Sequence, residues 1–178
     1  MKARSFSHSG ITVSNFNRAV RFWWDVFGCP LVGVSDAPPD RVRGFFGVDV
    51  EGARCKIGWI RLPGGAVIEI FHFSTTEGPI DVRWNRIGLT HVCFNVRGIR
   101  KWHDYLVTKG VEIVSPPEQS PRGHWLFFAK DFDGNLIEIT DLGYMYYVLG
   151  WLGPLGGWIF RRGIYRKYYL RQGTAAGD

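Results

Sequence analysis

The chain states one pattern twice. Gly65-Ala66-Val67-Ile68-Glu69-Ile70 recurs as Gly134-Asn135-Leu136-Ile137-Glu138-Ile139, and each copy lies downstream of a strand-like segment that opens on a histidine. Those segments are His8-Ser9-Gly10-Ile11-Thr12-Val13 and His91-Val92-Cys93-Phe94-Asn95-Val96. Each is followed by a helical pattern that closes on glycine, Gly28 in the first half and Gly110 in the second. A duplication of this kind demands that both halves build the same supersecondary unit and bury their apolar faces together. It also sets two histidines and two glutamates in equivalent places. Four hard or borderline donors, His8, Glu69, His91 and Glu138, point to one metal site between the halves.

Strand alternation sorts each segment into two faces. One face takes His8, Gly10 and Thr12, and its counterpart takes His91, Cys93 and Asn95; Ile11 with Val13, and Val92 with Phe94 and Val96, point the other way. Glu69 falls with Val67 and Phe71, and Glu138 with Leu136 and Thr140, so both carboxylates project from mostly apolar strands. An ionised carboxylate in such company is costly unless paired, hydrogen-bonded or bound to a cation.

The spacing predicts a helix in each half. Ser14 to Asn17 supplies capping side chains before Phe16, Ala19 or Val20, Trp23 and Phe27; Ile99, Trp102 and Leu106 repeat the spacing before Gly110. Further strands are predicted at about Cys29–Ser35, Arg54–Leu62, Val111–Ser115 and His124–Lys130, with turns at Pro116-Pro117 and Asp133-Gly134. Each half then reads strand, helix, strand, strand, strand. This gives a first module over residues 1–77, a connector over 78–87, a second module over 88–143 and an extension over 144–178. Asp36 to Gly52, carrying Pro38-Pro39 and Gly44, is a long insertion suited to covering a cavity.

With this order of elements the chain resembles the vicinal oxygen chelate superfamily, which includes glyoxalase I, methylmalonyl-CoA epimerase, extradiol dioxygenases and the fosfomycin and bleomycin resistance proteins. The likeness covers residues 6–142. It is carried by His8–Gly28, Gly88–Gly110 and Phe128-Ala129-Lys130-Asp131-Phe132-Asp133-Gly134-Asn135-Leu136-Ile137-Glu138. The resemblance implies an α+β fold of two βαβββ modules whose mixed, partly open sheet curves around a cleft. It also implies metal ligands on the first and last strands of each module, at His8, Glu69, His91 and Glu138. That set is most similar to bacterial glyoxalase I. Ring-cleaving dioxygenases and fosfomycin-modifying enzymes typically use two histidines and one glutamate, and bleomycin-binding members generally lack the ligands.

Two imidazoles and two carboxylates balance a divalent cation and leave two positions of a six-coordinate site for a substrate with two neighbouring oxygens. The cation is Fe, Mn, Co, Ni or Zn, among which this donor set does not choose. A chelated carbonyl becomes polarised and its neighbouring C–H more acidic. In the glyoxalase and epimerase branches a metal-site glutamate moves the proton, so the resemblance makes Glu138 or Glu69 the catalytic base, with a slight preference for Glu138. The leading expectation is a metal-dependent lyase or isomerase. A nonhaem iron dioxygenase and a small-molecule sequestering protein are the alternatives.

Other chemistry-bearing residues read more plainly. His72 alternates away from Glu69, His103 sits beside Trp102 on a helix surface, and His124 enters a strand near the expected cleft as a candidate contact to ligand or substrate. Cys93 reads as a small buried thiol, and Arg61 and Arg122 as solvated ion-pairing side chains. Three cysteines, Cys29, Cys55 and Cys93, form no CxxC pair, which favours a reducing, cytoplasmic setting. Residues 1–10 contain no long apolar run of the kind a secretory signal needs.

Of the net charge of +6, five basic residues against one acid place +4 in residues 144–178 and leave +2 to residues 1–143. The body is therefore no basic surface, and a nucleic-acid partner is not expected. Tyr144 to Phe160 is uncharged, rich in aromatics and interrupted by Pro154 and four glycines, which argues against a continuous helix. Such a segment suits wrapping a partner subunit of a homodimer or lidding a cleft. With the cations that follow it, a membrane surface is the second reading.

Overall fold

The computed structural model describes residues 3–79, 84–85 and 87–168. Part of the expected connector, residues 80–83 and 86, lies outside the described residues. In the first half, strands β1 (His8–Thr12), β2 (Leu31–Ala37), β3 (Cys55–Arg61) and β4 (Val67–Phe73) form one sheet in the order β1-β4-β3-β2. In the second, β5 (His91–Asn95), β6 (Glu112–Ile113), β7 (Glu118–Gln119), β8 (Trp125–Lys130) and β9 (Leu136–Asp141) run β5-β9-β8-β6, with β7 also paired to β8. Both sheets are mixed and open, and the first strand of each lies parallel to its last. The strand predicted over Val111–Ser115 shrinks to two residues. Val114 still donates its N–H to the Phe128 carbonyl at 2.8 Å, but Pro116 and Pro117 follow directly after Ser115, and neither has an N–H to extend a ladder.

Helices α1 (Phe16–Phe27) and α3 (Ile99–Thr108) follow the first strand of each sheet. Asn15 caps α1 by accepting the Arg18 N–H at 2.9 Å, and Gly28, at φ 65°, ends it with its N–H on the Trp24 carbonyl at 2.9 Å. Phe16, Ala19, Trp23 and Val26 are its buried face: Ala19 and not Val20 is buried there, and Val26 is buried where the spacing predicts Phe27, which packs against the core half-buried. Ile68, Ile70 and Ile60 of the first sheet and Phe127, Ala129, Ile137 and Ile139 of the second share one core with both helices. Gly58 makes this close approach possible. A Cβ there would stand 2.8 Å from the Phe16 ring and 3.0 Å from Ile70 Cγ1.

The halves are joined chiefly through α1. Phe27 stacks on Phe94 with ring centres 4.6 Å apart, and Tyr105 donates its hydroxyl hydrogen to the Asp25 and Val26 carbonyls, each at 3.1 Å. A second tie starts in the turn between β8 and β9. Asp131 Oδ1 accepts the Asp133 and Asn135 N–H groups at 2.9 Å and Oδ2 accepts the Asn135 side-chain amide at 2.9 Å, which shapes the turn. Burial pushes the Asp131 carboxyl up, against the pull of these hydrogen bonds. The turn aims Asp133 at the start of α1, where its carboxylate accepts the Ser14 N–H at 2.9 Å and the Ser14 hydroxyl at 2.5 Å.

The insertion forms α2 (Pro39–Phe46). Val42 and Phe46 pack with Ala37, Ala53, Cys55, Ile57, Phe71 and Phe73 in a second, smaller core. Phe71 and Phe73 alternate with Glu69 on one face of β4, so α2 covers part of the sheet face that carries the carboxylate. The extension departs from expectation. It forms a continuous helix, α4 (Met145–Arg162), with Pro154 inside, and none of its residues is buried. The bond that Pro154 cannot donate would fall on the Gly150 carbonyl. With none of its residues buried, the helix does not pack over a cleft of the described residues, and no described helix is long and apolar enough to cross a membrane.

Two stability predictions follow from these contacts. Gly58→Ala should cost about 1–3 kcal/mol through overpacking against Phe16. Asp133→Ala should cost about 1.5–3 kcal/mol by removing the charged acceptor from both Ser14 donors. Midpoints of urea unfolding read both, and unchanged midpoints would contradict the packing and the tie respectively.

Candidate functional site

Parallel pairing of first and last strands decides where the repeated side chains meet. Gly10 is level with Glu69 and Cys93 is level with Glu138, so each histidine stands two residues away from its glutamate on the adjacent strand and on the same face. His8 Nε2 lies 3.4 Å from Glu69, and His91 Nε2 lies 2.9 Å from Glu138. Both pairs occupy the sheet faces turned away from the shared core, since Ile68, Ile70, Ile137 and Ile139 point the other way. The glutamate side chains are only 17% and 16% exposed, which explains why each draws a partner close.

The residue before each histidine extends the repeat. Ser7 Oγ meets His8 Nδ1 at 3.1 Å, and Thr90 Oγ1 meets His91 Nδ1 at 2.8 Å. A hydroxyl can donate to Nδ1 or accept from it, so it serves either tautomer of the ring. When Nε2 carries the proton it binds the carboxylate. When Nδ1 carries it, Nε2 presents a lone pair, as a metal ligand must.

The strand beside each glutamate supplies an aromatic residue. Trp59 lies opposite Glu69, and Phe128 lies opposite Glu138. The Trp59 indole donates to Glu69 Oε1 at 2.7 Å, while Gly33 on β2 leaves room for the ring. In the second half the Phe128 ring and Trp84 form a T-shaped pair, centres 4.9 Å apart, and both approach His91. Glu138 receives no indole; Cys93 stands level with it on the adjacent strand. Cys93 is exposed as a residue, yet burial around its sulfur pushes the thiol up to about 12, and the nearby Glu138 charge acts in the same direction. The thiol therefore keeps its proton at neutral pH.

Trp59, Trp84, Ser7 and Thr90 were not singled out from the sequence, although part of the signal was there. Trp59 and Glu69 lie five residues either side of Gly64, and Phe128 and Glu138 five either side of Asp133, so hairpin pairing sets each aromatic against its glutamate. The remaining histidines stay apart from both pairs. His72 alternates onto the opposite face, His103 pairs with Asp104 at 3.1 Å, and His124 Nδ1 meets Ser120 Oγ at 2.9 Å in the turn before β8. Arg61 and Arg122 are exposed.

The structure brings the four donors together as two pairs. Among the described residues no three His, Cys, Asp or Glu side chains are gathered closely enough to hold a metal ion. By donor chemistry each pair suits half of a divalent site: one imidazole nitrogen and one carboxylate oxygen side by side, the ring braced from behind.

Comparison with known proteins bears on the family and the fold. The chain is 27% identical over 148 residues to lactoylglutathione lyase of Schizosaccharomyces pombe, covering 79% of this chain and 48% of that one, so it spans about half the length of this curated relative. A glyoxalase family protein from Bacillus cereus superposes with a TM-score of 0.67 at 22% identity, covering 79% of this chain and 95% of the other. Leishmania major glyoxalase I, described as trypanothione-dependent, gives a TM-score of 0.59 at 16% identity over 91% and 99% of the two chains. These structural likenesses establish the fold. The sequence profile of the Glyoxalase/Bleomycin resistance protein/Dioxygenase superfamily matches residues 5–139, and the chain belongs to that family, the vicinal oxygen chelate group.

Proposed function

We propose that this chain is a metal-dependent enzyme that moves a proton next to a carbonyl, of the glyoxalase-like lyase or isomerase type. The observation that carries the reading is the repeated pair, His8 with Glu69 and His91 with Glu138, each on the open face of its sheet with its imidazole braced at Nδ1. One divalent ion, Fe, Mn, Co, Ni or Zn, held by all four side chains, would polarise a chelated carbonyl and acidify the neighbouring C–H. Two donors are half of such a set, so one pair from each module completes it. A homodimer, in which facing modules come from two copies, is part of the proposal. The likeness to lactoylglutathione lyase supports the choice of reaction class.

The glutamates have unequal surroundings, which divides the roles. Glu69 is held by the indole donor of Trp59 at 2.7 Å, a bond that fixes the position of its carboxylate. Glu138 has Phe128 opposite it, a ring with no hydrogen-bond donor, so His91 at 2.9 Å is its close partner and, among the described residues, no neighbour matches the Trp59 clamp. We assign Glu138 the role of base and Glu69 that of fixed ligand. Trp84, Phe128 and Trp59 would flank the substrate with apolar surface and keep water from the proton in transit.

Two measurements test this reading. Protein purified with its native metal should contain a divalent ion by elemental analysis, and His8→Ala with Glu138→Ala should lose both the ion and turnover; unchanged metal content and turnover in the double variant would falsify the assignment. Deuterium exchange on thiohemiacetals and acyl-CoA esters should fall about 10²–10⁴-fold in Glu138→Gln, the range expected for loss of a general base. Glu69→Gln should chiefly weaken metal retention. Equal exchange losses at equal metal content would overturn the division of roles, and oxygen uptake with a catechol would move the protein to the dioxygenase branch.

A further inference from the structure

Among the described residues, the helix that follows β9 has none of its own residues buried. Leu149, Trp151, Leu152, Leu155, Trp158, Ile159 and Phe160 are between 42% and 83% exposed. Contiguous apolar exposure on this scale marks a surface meant to leave water. Its only described side-chain tie to the body is the hydrogen bond from Arg97 to the Tyr147 hydroxyl, 2.9 Å long.

We propose that α4 lies in one leaflet of a lipid bilayer that carries anionic headgroups. Three observations select this occupant over a protein surface. First, bulky side chains cover most of the helix circumference, and the remaining narrow side, at spacings of three and four residues, is Tyr146, Gly150, Gly153, Gly157 and Arg161. A protein groove would have to enclose nearly the whole helix, whereas a leaflet does so without a matched surface, and the glycine side leaves backbone facing the headgroups. Second, the apolar run is followed by Arg161, Arg162, Arg166 and Lys167 with no acidic residue from Tyr144 to Tyr168, which complements an anionic surface. Third, the cations sit with aromatic rings: Arg162 stands 4.8 Å from the Trp158 ring centre and Lys167 5.0 Å from that of Tyr168, the combination favoured where hydrocarbon meets headgroups. At about 1.5 Å per residue the helix is about 27 Å long, short of a hydrocarbon core of about 30 Å. It enters the interface and does not span it.

The test uses the full 178-residue chain and does not depend on the proposed metal binding. Co-sedimentation is measured with vesicles of phosphatidylcholine alone and of phosphatidylcholine with phosphatidylglycerol, while circular dichroism verifies that each variant is folded. Binding should favour the anionic vesicles, weaken in high salt, and fall about fivefold for each of Arg161→Gln and Arg162→Gln. Trp151→Ser with Trp158→Ser should release the protein from both vesicle types. Failure to sediment with any vesicle, or equal binding to neutral and anionic vesicles that ignores the arginine variants, overturns the proposal. So does a dimer that Trp151→Ser and Trp158→Ser dissociate in the absence of lipid, which would make a second copy the occupant.

Discussion

Parallel pairing between the first and last strands of each half is the constraint on which the rest depends. In β1 with β4 and in β5 with β9 it sets the histidine two residues from the glutamate on one face and sends the isoleucines to the other. A slip of one residue would turn His8 or Glu69 into the core and Ile68 and Ile70 into water, a change the hydrophobic effect forbids. The same burial that stabilises the fold therefore fixes the chemistry. The isoleucines hold the register, and the register presents the donors.

The two halves use this plan with different finishing. In the first, an indole grips the carboxylate and α2 covers the neighbouring part of the face. In the second, Phe128 stands where Trp59 stood, so the carboxylate faces a ring without a donor while Cys93 lies level with it on the adjacent strand. Two sites built on one plan thus differ in what touches the carboxylate besides its histidine.

Much of this was legible in the residues. Alternation in His8–Val13 and Val67–Phe71 gave the correct faces because a strand's period is two whatever packs against it. The helices were legible because Asn15, Gly28 and Gly110 carry their own local conformational preferences. What stayed hidden depends on distant parts of the chain. Nothing near Ser14 announces that Asp133 will cap it, and nothing near Thr90 announces that its hydroxyl will brace a ring. The extension was misread as broken because Pro154 and its glycines were weighed by propensity alone.

The link between Ser14 and Asp133 carries a lesson about descent from a doubled gene. The residues at the corresponding places of the opposite halves are Arg97 and Gly64, which cannot form that link. The seam is therefore sewn once, from the second half to the first, and the like positions return nothing in the other direction. Whatever the two halves share in plan, this stitch belongs to one side only.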